Sequence, residues 1–232
     1  MIDNPYIEKL PFQFDIDQLQ KHLLENVITL GDPIIQGGAY GGSFGGWSVL
    51  ADNGHWWGAW TQGHKAMKNG GFDYKIAKEL GVVHDYSHDK PTEACTGIFK
   101  EVVDTLETAG LTPRRVRVTV LQPGGQSSIH RDAPNTSYAA RIHIPLITYP
   151  ECIHTVWNED GTEVPIHMPA DGSAYMLWVN NRHQIINPTE KPRYHIIMNA
   201  WDTKQVTEKF NFPHIEELKK RVEIFNERIA SA

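Results

Sequence analysis

Two histidines and one aspartate stand where they could bind a single metal ion. His130 and Asp132 are two residues apart, so at the end of an extended strand their side chains project from the same face. His183 would supply a third ligand from a distant strand. Two imidazoles and one carboxylate on one face of an octahedron leave the remaining positions open for a co-substrate and oxygen, as in non-haem iron centres. The His-x-Asp pair by itself is weak support, because a surface turn contains such a pair more often than a metal site does.

Arg193 makes the metal hypothesis more specific. It follows His183 by ten residues and begins a strand that could run beside the one bearing His183. A guanidinium there can form a bidentate pair with a carboxylate deep in a barrel, where a lysine would offer only a point charge. Arg141 and His143 share a face of an intervening strand, where they add a cation and a hydrogen-bond donor.

Short strands between turn residues dominate the second half of the chain. Over residues 116–120 valines alternate with polar residues, as in a strand with one apolar face, and a Pro-Gly turn follows. Strand-like runs then recur at 141–147, 153–157, 173–179, 182–186 and 194–200. We therefore predict a mainly β fold with flanking helices and a double-stranded β-helix core, a cupin-like jelly roll.

Helices and a glycine-jointed aromatic region are predicted around this core. One helix is expected at 15–26, capped by Asp15 or Asp17, and another at 92–109, closed by Gly110. We predict a single domain over 1–232. Its parts are helices and aromatic, Gly-rich strands in 1–110, the jelly-roll core in 114–202 and a C-terminal helix at 213–230.

The composition is that of an ordinary globular protein and excludes several function classes. Of 232 residues 40% are hydrophobic, and the net charge of -6 disfavours nucleic acid as a partner. No apolar stretch reaches the ~20 residues of a membrane span, and the polar start is unlike a secretory signal, so we expect a cytoplasmic protein with no membrane partner. Two cysteines are too few for a disulfide framework, whereas twelve histidines are many for this length.

From about Val116 to Asp202 the sequence resembles the aspartyl/asparaginyl β-hydroxylase family of iron(II)/2-oxoglutarate dioxygenases. This family includes bacterial hydroxylases of free amino acids such as proline. The matching features fall in order: the Pro-Gly turn, His130, the pair Arg141 and His143, then His183, Asn187, Arg193 and Asp202. The resemblance implies Fe(II) held by His130, Asp132 and His183, with 2-oxoglutarate and O2 as co-substrates.

The resemblance also implies roles for individual side chains. Arg193 would bind the distal carboxylate of 2-oxoglutarate, assisted by three further residues: Arg141, His143 and Thr119. In animal peptidyl members the position of Asp132 is not a carboxylate, and in related halogenases a small residue there frees a site for chloride. Asp132 thus implies hydroxylation, and a closer likeness to the amino-acid hydroxylases.

The implied substrate is a small molecule or a peptide, specifically an amino acid that is free or an Asp, Asn or Pro-type residue in a peptide. Two alternatives stay open. The chain could hydroxylate another small metabolite or a lipid. It could also be a catalytically silent, cupin-like protein that binds metal or senses a ligand.

Several other residues have two interpretations. Trp47 and Trp57 could line a substrate pocket or pack in the core, and Asn135 lies where a loop could contact the substrate. The run 84–89 contains two His and two Asp and could hold a second metal, although a solvated loop is favoured. Three strand histidines are interpreted as making local hydrogen bonds: His154, His167 and His195. His195 also shares a face with Arg193.

Overall fold

The computed structural model describes residues 4–36, 43–58, 67–68, 71–72, 88–132 and 140–200, and positions 216, 220, 223, 227 and 231. Its strands are β1 (Ile7–Gln13), β2 (Ile34–Gln36), β3 (Phe44–Ser48), β4 (Leu50–Ala51), β5 (Met67–Lys68), β6 (Gly71–Phe72), β7 (Lys90–Pro91), β8 (Pro113–Leu121), β9 (Ala140–Ile147), β10 (His154–Trp157), β11 (Glu163–Ile166), β12 (Ser173–Trp178), β13 (His183–Ile185) and β14 (Arg193–Ala200). In the continuous described ranges its α-helices are α1 (Ile16–His22) and α2 (Gly97–Thr108), and α1 is followed by a π-helical turn (Leu23–Val27) and a 3-10 turn (Ile28–Leu30).

Two antiparallel sheets carry the site. Among the described residues, the larger sheet has seven strands in the order β1-β12-β9-β14-β8-β3-β2, and the smaller has three in the order β11-β10-β13. Residues of both sheets line one cavity. The predicted fold class is confirmed: the chain is mainly β, with a double-stranded β-helix core and flanking helices.

The two faces of the larger sheet differ in chemistry. One face presents apolar side chains, for example Val118 of β8 and Ile196 of β14, to a core that also holds Leu19 of α1 and Phe99 of α2. The opposite face carries polar residues, among them Thr119 and His195, which are buried as well. The period-two pattern of β8 therefore separates an apolar core from a polar interior, and not a core from solvent.

The helices begin close to where capping residues place them. Asp15 caps α1 by accepting a hydrogen bond from the Gln18 backbone N–H. The second helix starts at Gly97 and not at residue 92, because the Thr92 hydroxyl is held by the Ser48 carbonyl, and a turn closes from Cys95 N–H to the Thr92 carbonyl. Near the end of the chain five described positions are helical and exposed: 216, 220, 223, 227 and 231. The helix predicted for 213–230 stays a prediction.

The strands missing from the sequence prediction lie mostly at sheet edges. The larger sheet extends beyond the predicted span of 114–202, because β1, β2 and β3 belong to it. Strand β1 contains Pro11 and β11 contains Pro165, and each is the outermost strand of its sheet. Proline is tolerated at an edge, where its missing N–H leaves no gap in the ladder, but it breaks the sequence pattern of a strand.

The solvated loop predicted for residues 84–89 requires a correction. His88 is 6% exposed, so the solvated loop predicted for 84–89 is wrong at this residue, whereas 84 and 85 lie outside the described residues. No helix in the described ranges is long and apolar enough to cross a membrane.

Candidate active site

The backbone brings His130 and His183 together. Each residue donates its backbone N–H to the other's carbonyl oxygen, at 3.0 and 2.8 Å, as an antiparallel pair. The two rings consequently lie 4.4 Å apart between centroids. Their meeting is thus fixed by strand pairing, although they are far apart in the sequence.

Both imidazoles turn the same nitrogen toward the cavity. The Nδ1 atom of His130 lies 2.8 Å from the Ser128 carbonyl oxygen, and that of His183 lies 2.9 Å from the Asn181 carbonyl oxygen. A carbonyl oxygen only accepts, so each Nδ1 carries a proton. This leaves Nε2 of each ring as the atom that can bind a metal, a common arrangement of metal-ligating histidines.

Asp132 lies between these rings and is held by a cation. Its carboxylate oxygens are 3.4 Å from His130 Nε2 and 4.0 Å from His183 Nε2, and 2.9 Å from Arg141 Nη2. One ligand atom of each of the three residues lies within 4.8 Å of the others. Two imidazole nitrogens and a carboxylate oxygen in this arrangement fit a divalent transition metal with open coordination positions.

The charges in the triad also fit a cation. Burial would raise the pKa of Asp132, but the positive charge of Arg141 and then the hydrogen bond with His130 hold it well below its ordinary value. Burial lowers the pKa of His183, so its ring is neutral, although Asp132 acts in the opposite direction. Burial also opposes charge on His130, but Asp132 outweighs it and raises the pKa. A metal ion would take the place of the proton that His130 and Asp132 share.

One cavity connects the triad to Arg193. It is lined by Phe44, His130, Asp132, Arg141, His143, His154, Val179, His183, Ile185, Arg193 and Ile197. Arg193 is 4% exposed, and among the described residues no carboxylate forms an ion pair with it. Burial lowers the pKa of Arg193 to about 10, which still leaves the guanidinium charged at neutral pH. A buried cation without a counter-charge is costly unless an anion binds it.

Three more imidazoles surround this cation. His143, His154 and His195 are each buried, and burial lowers the pKa of each well below its ordinary value. Within the described residues, both ring nitrogens of His143 and Nε2 of His154 and His195 have no hydrogen-bond partner. His143 and His154 line the cavity, and their unsatisfied atoms indicate that it receives a polar ligand.

His154 and the contact of His195 with Arg193 were not predicted from the sequence. His154 lines the cavity and stacks on His183, with ring centroids 5.2 Å apart. Each residue stands beside an isoleucine in a strand-like run, Ile153 and Ile196 respectively, so the sequence alone gives them the pattern of core histidines. Only the pairing of β10 with β13 and of β14 with β9 shows that they lie in the polar interior, where His154 lines the cavity and His195 contacts Arg193.

Three other predicted site residues are described, and none of them lines the cavity. The Thr119 hydroxyl donates to the His195 carbonyl oxygen at 3.1 Å, and Thr119 is not among the residues that line the cavity. Trp47 is a core residue and not a substrate residue, because its ring packs on the apolar side of the sheet and its Nε1–H donates to the Gly31 carbonyl. Trp57 is exposed and stacks on His55, away from the cavity lining. Asn135 and Asp202 lie outside the described residues.

Known proteins supply a comparison with this geometry. The sequence model of the aspartyl/asparaginyl beta-hydroxylase family matches residues 67–203. The chain belongs to the aspartyl/asparaginyl beta-hydroxylase family. It is therefore an oxidoreductase, a 2-oxoglutarate-dependent dioxygenase with Fe(II) as its metal, and the likeness of Val116–Asp202 to this family is confirmed. No curated protein matches the sequence.

Solved structures show weaker likenesses. A viral collagen prolyl hydroxylase from Paramecium bursaria Chlorella virus-1, solved with 2-oxoglutarate, is 12% identical, with 85% of this chain and 96% of that chain covered and a TM-score of 0.44. A Pseudomonas putida prolyl-4-hydroxylase is 11% identical, with coverages of 85% and 93% and a TM-score of 0.44. A Trichoplax adhaerens prolyl hydroxylase in complex with a hypoxia inducible factor peptide is 13% identical, with coverages of 90% and 90% and a TM-score of 0.43. These likenesses say nothing of the substrate.

Proposed function

We propose that this protein hydroxylates an unactivated C–H bond of an amino acid, free or within a peptide, as a single catalytic domain. In this reaction one oxygen atom of O2 enters the C–H bond and the other enters 2-oxoglutarate, which leaves as succinate and CO2. The observation that carries the proposal is the buried cation of Arg193, with which no described carboxylate forms an ion pair, in the same cavity as the His130, Asp132 and His183 triad.

The triad would hold Fe(II), which supplies oxygen activation when bound. The residues around it fix the ligands before the metal arrives. The Ser128 and Asn181 carbonyls hold the two imidazoles in the tautomer that presents Nε2. Arg141 holds one carboxylate oxygen of Asp132 at 2.9 Å, so that the carboxylate binds in one orientation. We therefore assign Arg141 first to Asp132, and any contact with the co-substrate second.

Arg193 would bind the distal carboxylate of 2-oxoglutarate, with His143 donating a further hydrogen bond. A guanidinium offers two parallel N–H donors to a carboxylate, and burial strengthens the pair because water does not compete for it. The unsatisfied nitrogens of His143 lie in the same cavity. The co-substrate would thus be held between the triad and Arg193, in an enclosure that excludes water from the reacting atoms.

The substrate class is supported by the family and by Asp132. A carboxylate ligand at residue 132 occupies the metal position that a halide would need, which favours hydroxylation. Four apolar side chains complete the cavity wall and would contact the aliphatic part of a substrate: Phe44, Val179, Ile185 and Ile197. Such contacts exclude water but leave the carbon to be hydroxylated undefined.

A substrate panel tests the proposal. Purified protein with Fe(II), 2-oxoglutarate and O2 is incubated with free amino acids and with short Asp, Asn or Pro-containing peptides, and succinate is measured alongside the mass of each product. We expect at least one substrate to gain one oxygen atom, with one succinate formed per product. Arg193→Leu and His183→Ala are matched controls that should form neither.

Two other outcomes would identify the alternative functions. Succinate formation stimulated only by metabolites other than amino acids would contradict the proposed substrate class. The dioxygenase activity itself would stand. Complete absence of 2-oxoglutarate turnover, with metal still bound, would contradict the proposed reaction and favour a catalytically silent binding protein.

A further inference from the structure

The guanidinium of Arg193 forms a hydrogen bond with a second buried side chain, His195. The two residues are two apart on β14, so their side chains lie on the same face of the strand. Arg193 Nη2 lies 2.9 Å from His195 Nδ1. Both side chains are buried, at 4% and 1% exposure, so the contact is shielded from water.

The direction of this hydrogen bond is determined by chemistry. A guanidinium has only donors, so Nδ1 of His195 must accept and the ring proton must sit on Nε2. A protonated ring could not accept, and it would place a second positive charge beside the first. The low pKa of His195, caused first by burial and then by the charge of Arg193, keeps the ring neutral.

The backbone of His195 is held from both sides of the strand. The Thr119 hydroxyl donates to its carbonyl oxygen, and β14 lies between β8 and β9 at the centre of the larger sheet. A central strand with paired neighbours moves little, so the acceptor that Arg193 meets is in a fixed place. His195 is not among the residues that line the cavity, and it therefore acts on a ligand through Arg193.

The geometry points to His195 as the positioning residue that orients the Arg193 guanidinium for the distal carboxylate of 2-oxoglutarate. This inference rests on the proposed role of Arg193. It adds the side chain that holds the N–H donors of the guanidinium in one orientation. One N–H of Nη2 is directed to His195, which fixes the plane of the guanidinium and leaves its other donors for a carboxylate. Without the Nδ1 acceptor, binding would have to order the guanidinium at the moment the co-substrate arrives.

Three substitutions at residue 195 separate the two ring nitrogens. Asparagine places an amide oxygen near the position of Nδ1, glutamine places its amide near the position of Nε2, and leucine supplies neither.

The test measures the dissociation constant of 2-oxoglutarate with the full-length, Fe(II)-loaded protein in the absence of oxygen. The melting temperature of each variant shows whether it folds. His195→Leu and His195→Gln should weaken 2-oxoglutarate binding about tenfold to hundredfold. His195→Asn should stay within about threefold of the original protein.

The same measurement in an Arg193→Lys background shows whether the effect passes through Arg193. There His195→Leu should cost less than about threefold, because the guanidinium it orients is gone. Equal losses in both backgrounds, or better binding by His195→Gln than by His195→Asn, would overturn the inference. If the original protein fails to bind 2-oxoglutarate, or if Arg193→Leu binds it normally, the proposed function fails instead.

Discussion

At the scale of single residues, the sequence predicts site residues by their chemical type, but it does not show toward which side of a sheet a side chain points. Asp132 and Arg193 are chemically unusual in their strand contexts, and the sequence identifies both. His154 and His195 each stand beside an isoleucine in a strand-like run, which is also the pattern of a structural histidine in a core. Their roles depend on which face of a strand meets the cavity, and that follows from pairing between distant strands.

The bidentate fork of Arg193 gives a first prediction. Arg193→Lys keeps a positive charge but loses the paired donors, so the Michaelis constant for 2-oxoglutarate should rise about tenfold to hundredfold. The constant for the prime substrate should change far less. Steady-state succinate assays measure both values. Lys191→Arg, at an exposed position before β14, is a control that should change neither, and an unaltered constant in Arg193→Lys would show that another group binds the carboxylate.

At the scale of elements, one buried amide joins the segments that present the site. Asn187 Nδ2 donates to the carbonyls of Leu121 and Lys191, at 3.0 and 2.8 Å, and contacts that of Gln122 at 3.2 Å. It therefore joins the turn after β8, which leads to His130, to the segment that leads into Arg193. The sequence contains Asn187 as a family feature, but periodicity could not reveal this role because the three carbonyls belong to two segments that are far apart in the sequence.

Removing this amide should loosen both segments. Asn187→Ala leaves buried carbonyls without donors, so the free energy of unfolding should fall by about 2–4 kcal/mol. Gln184→Ala is a matched control that loses one bond to the Ser127 carbonyl at a half-buried position, and it should cost about 1 kcal/mol or less. Urea unfolding followed by circular dichroism measures both. Equal losses in the two variants would contradict the role of Asn187.

At the scale of the whole molecule, the fold buries a polar interior between its sheets. The sequence predicts the jelly roll because short strand-like runs recur between turn residues, and it fails at β1 and β11, where proline interrupts edge strands. It cannot predict that the polar face of the large sheet is buried, since alternation alone suggests that such a face meets water. This interior contains buried histidines that are neutral in the folded chain and that water does not reach.

That interior should make the metal-free protein sensitive to acid. Burial lowers the pKa of His143, His154 and His195 in the folded state, so below about pH 6.5 the unfolded chain binds protons that the folded chain does not. Stability is then full above this pH and falls as pH drops, by up to about 1.4 kcal/mol per pH unit for each histidine. His130, whose pKa is raised, acts in the opposite direction.

Urea unfolding at pH 7.5 and 5.5 measures this dependence. His195→Asn removes one of the histidines whose pKa is lowered by burial, and the stability of this variant should decline less steeply with acid, by up to about 1.4 kcal/mol per pH unit. Parallel declines in the two proteins would show that His195 is not a neutral, buried group in the folded chain.

Anaerobic Fe(II) binding tests the central claim most directly, because every proposed role depends on a metal at His130, Asp132 and His183. Equilibrium dialysis with the original protein, His130→Ala and His183→Ala gives stoichiometry and affinity, and circular dichroism confirms that the variants fold. We expect one Fe(II) per chain in the original protein and an affinity lower by about a hundredfold or more in each variant. Unchanged stoichiometry and affinity in either folded variant would contradict the account.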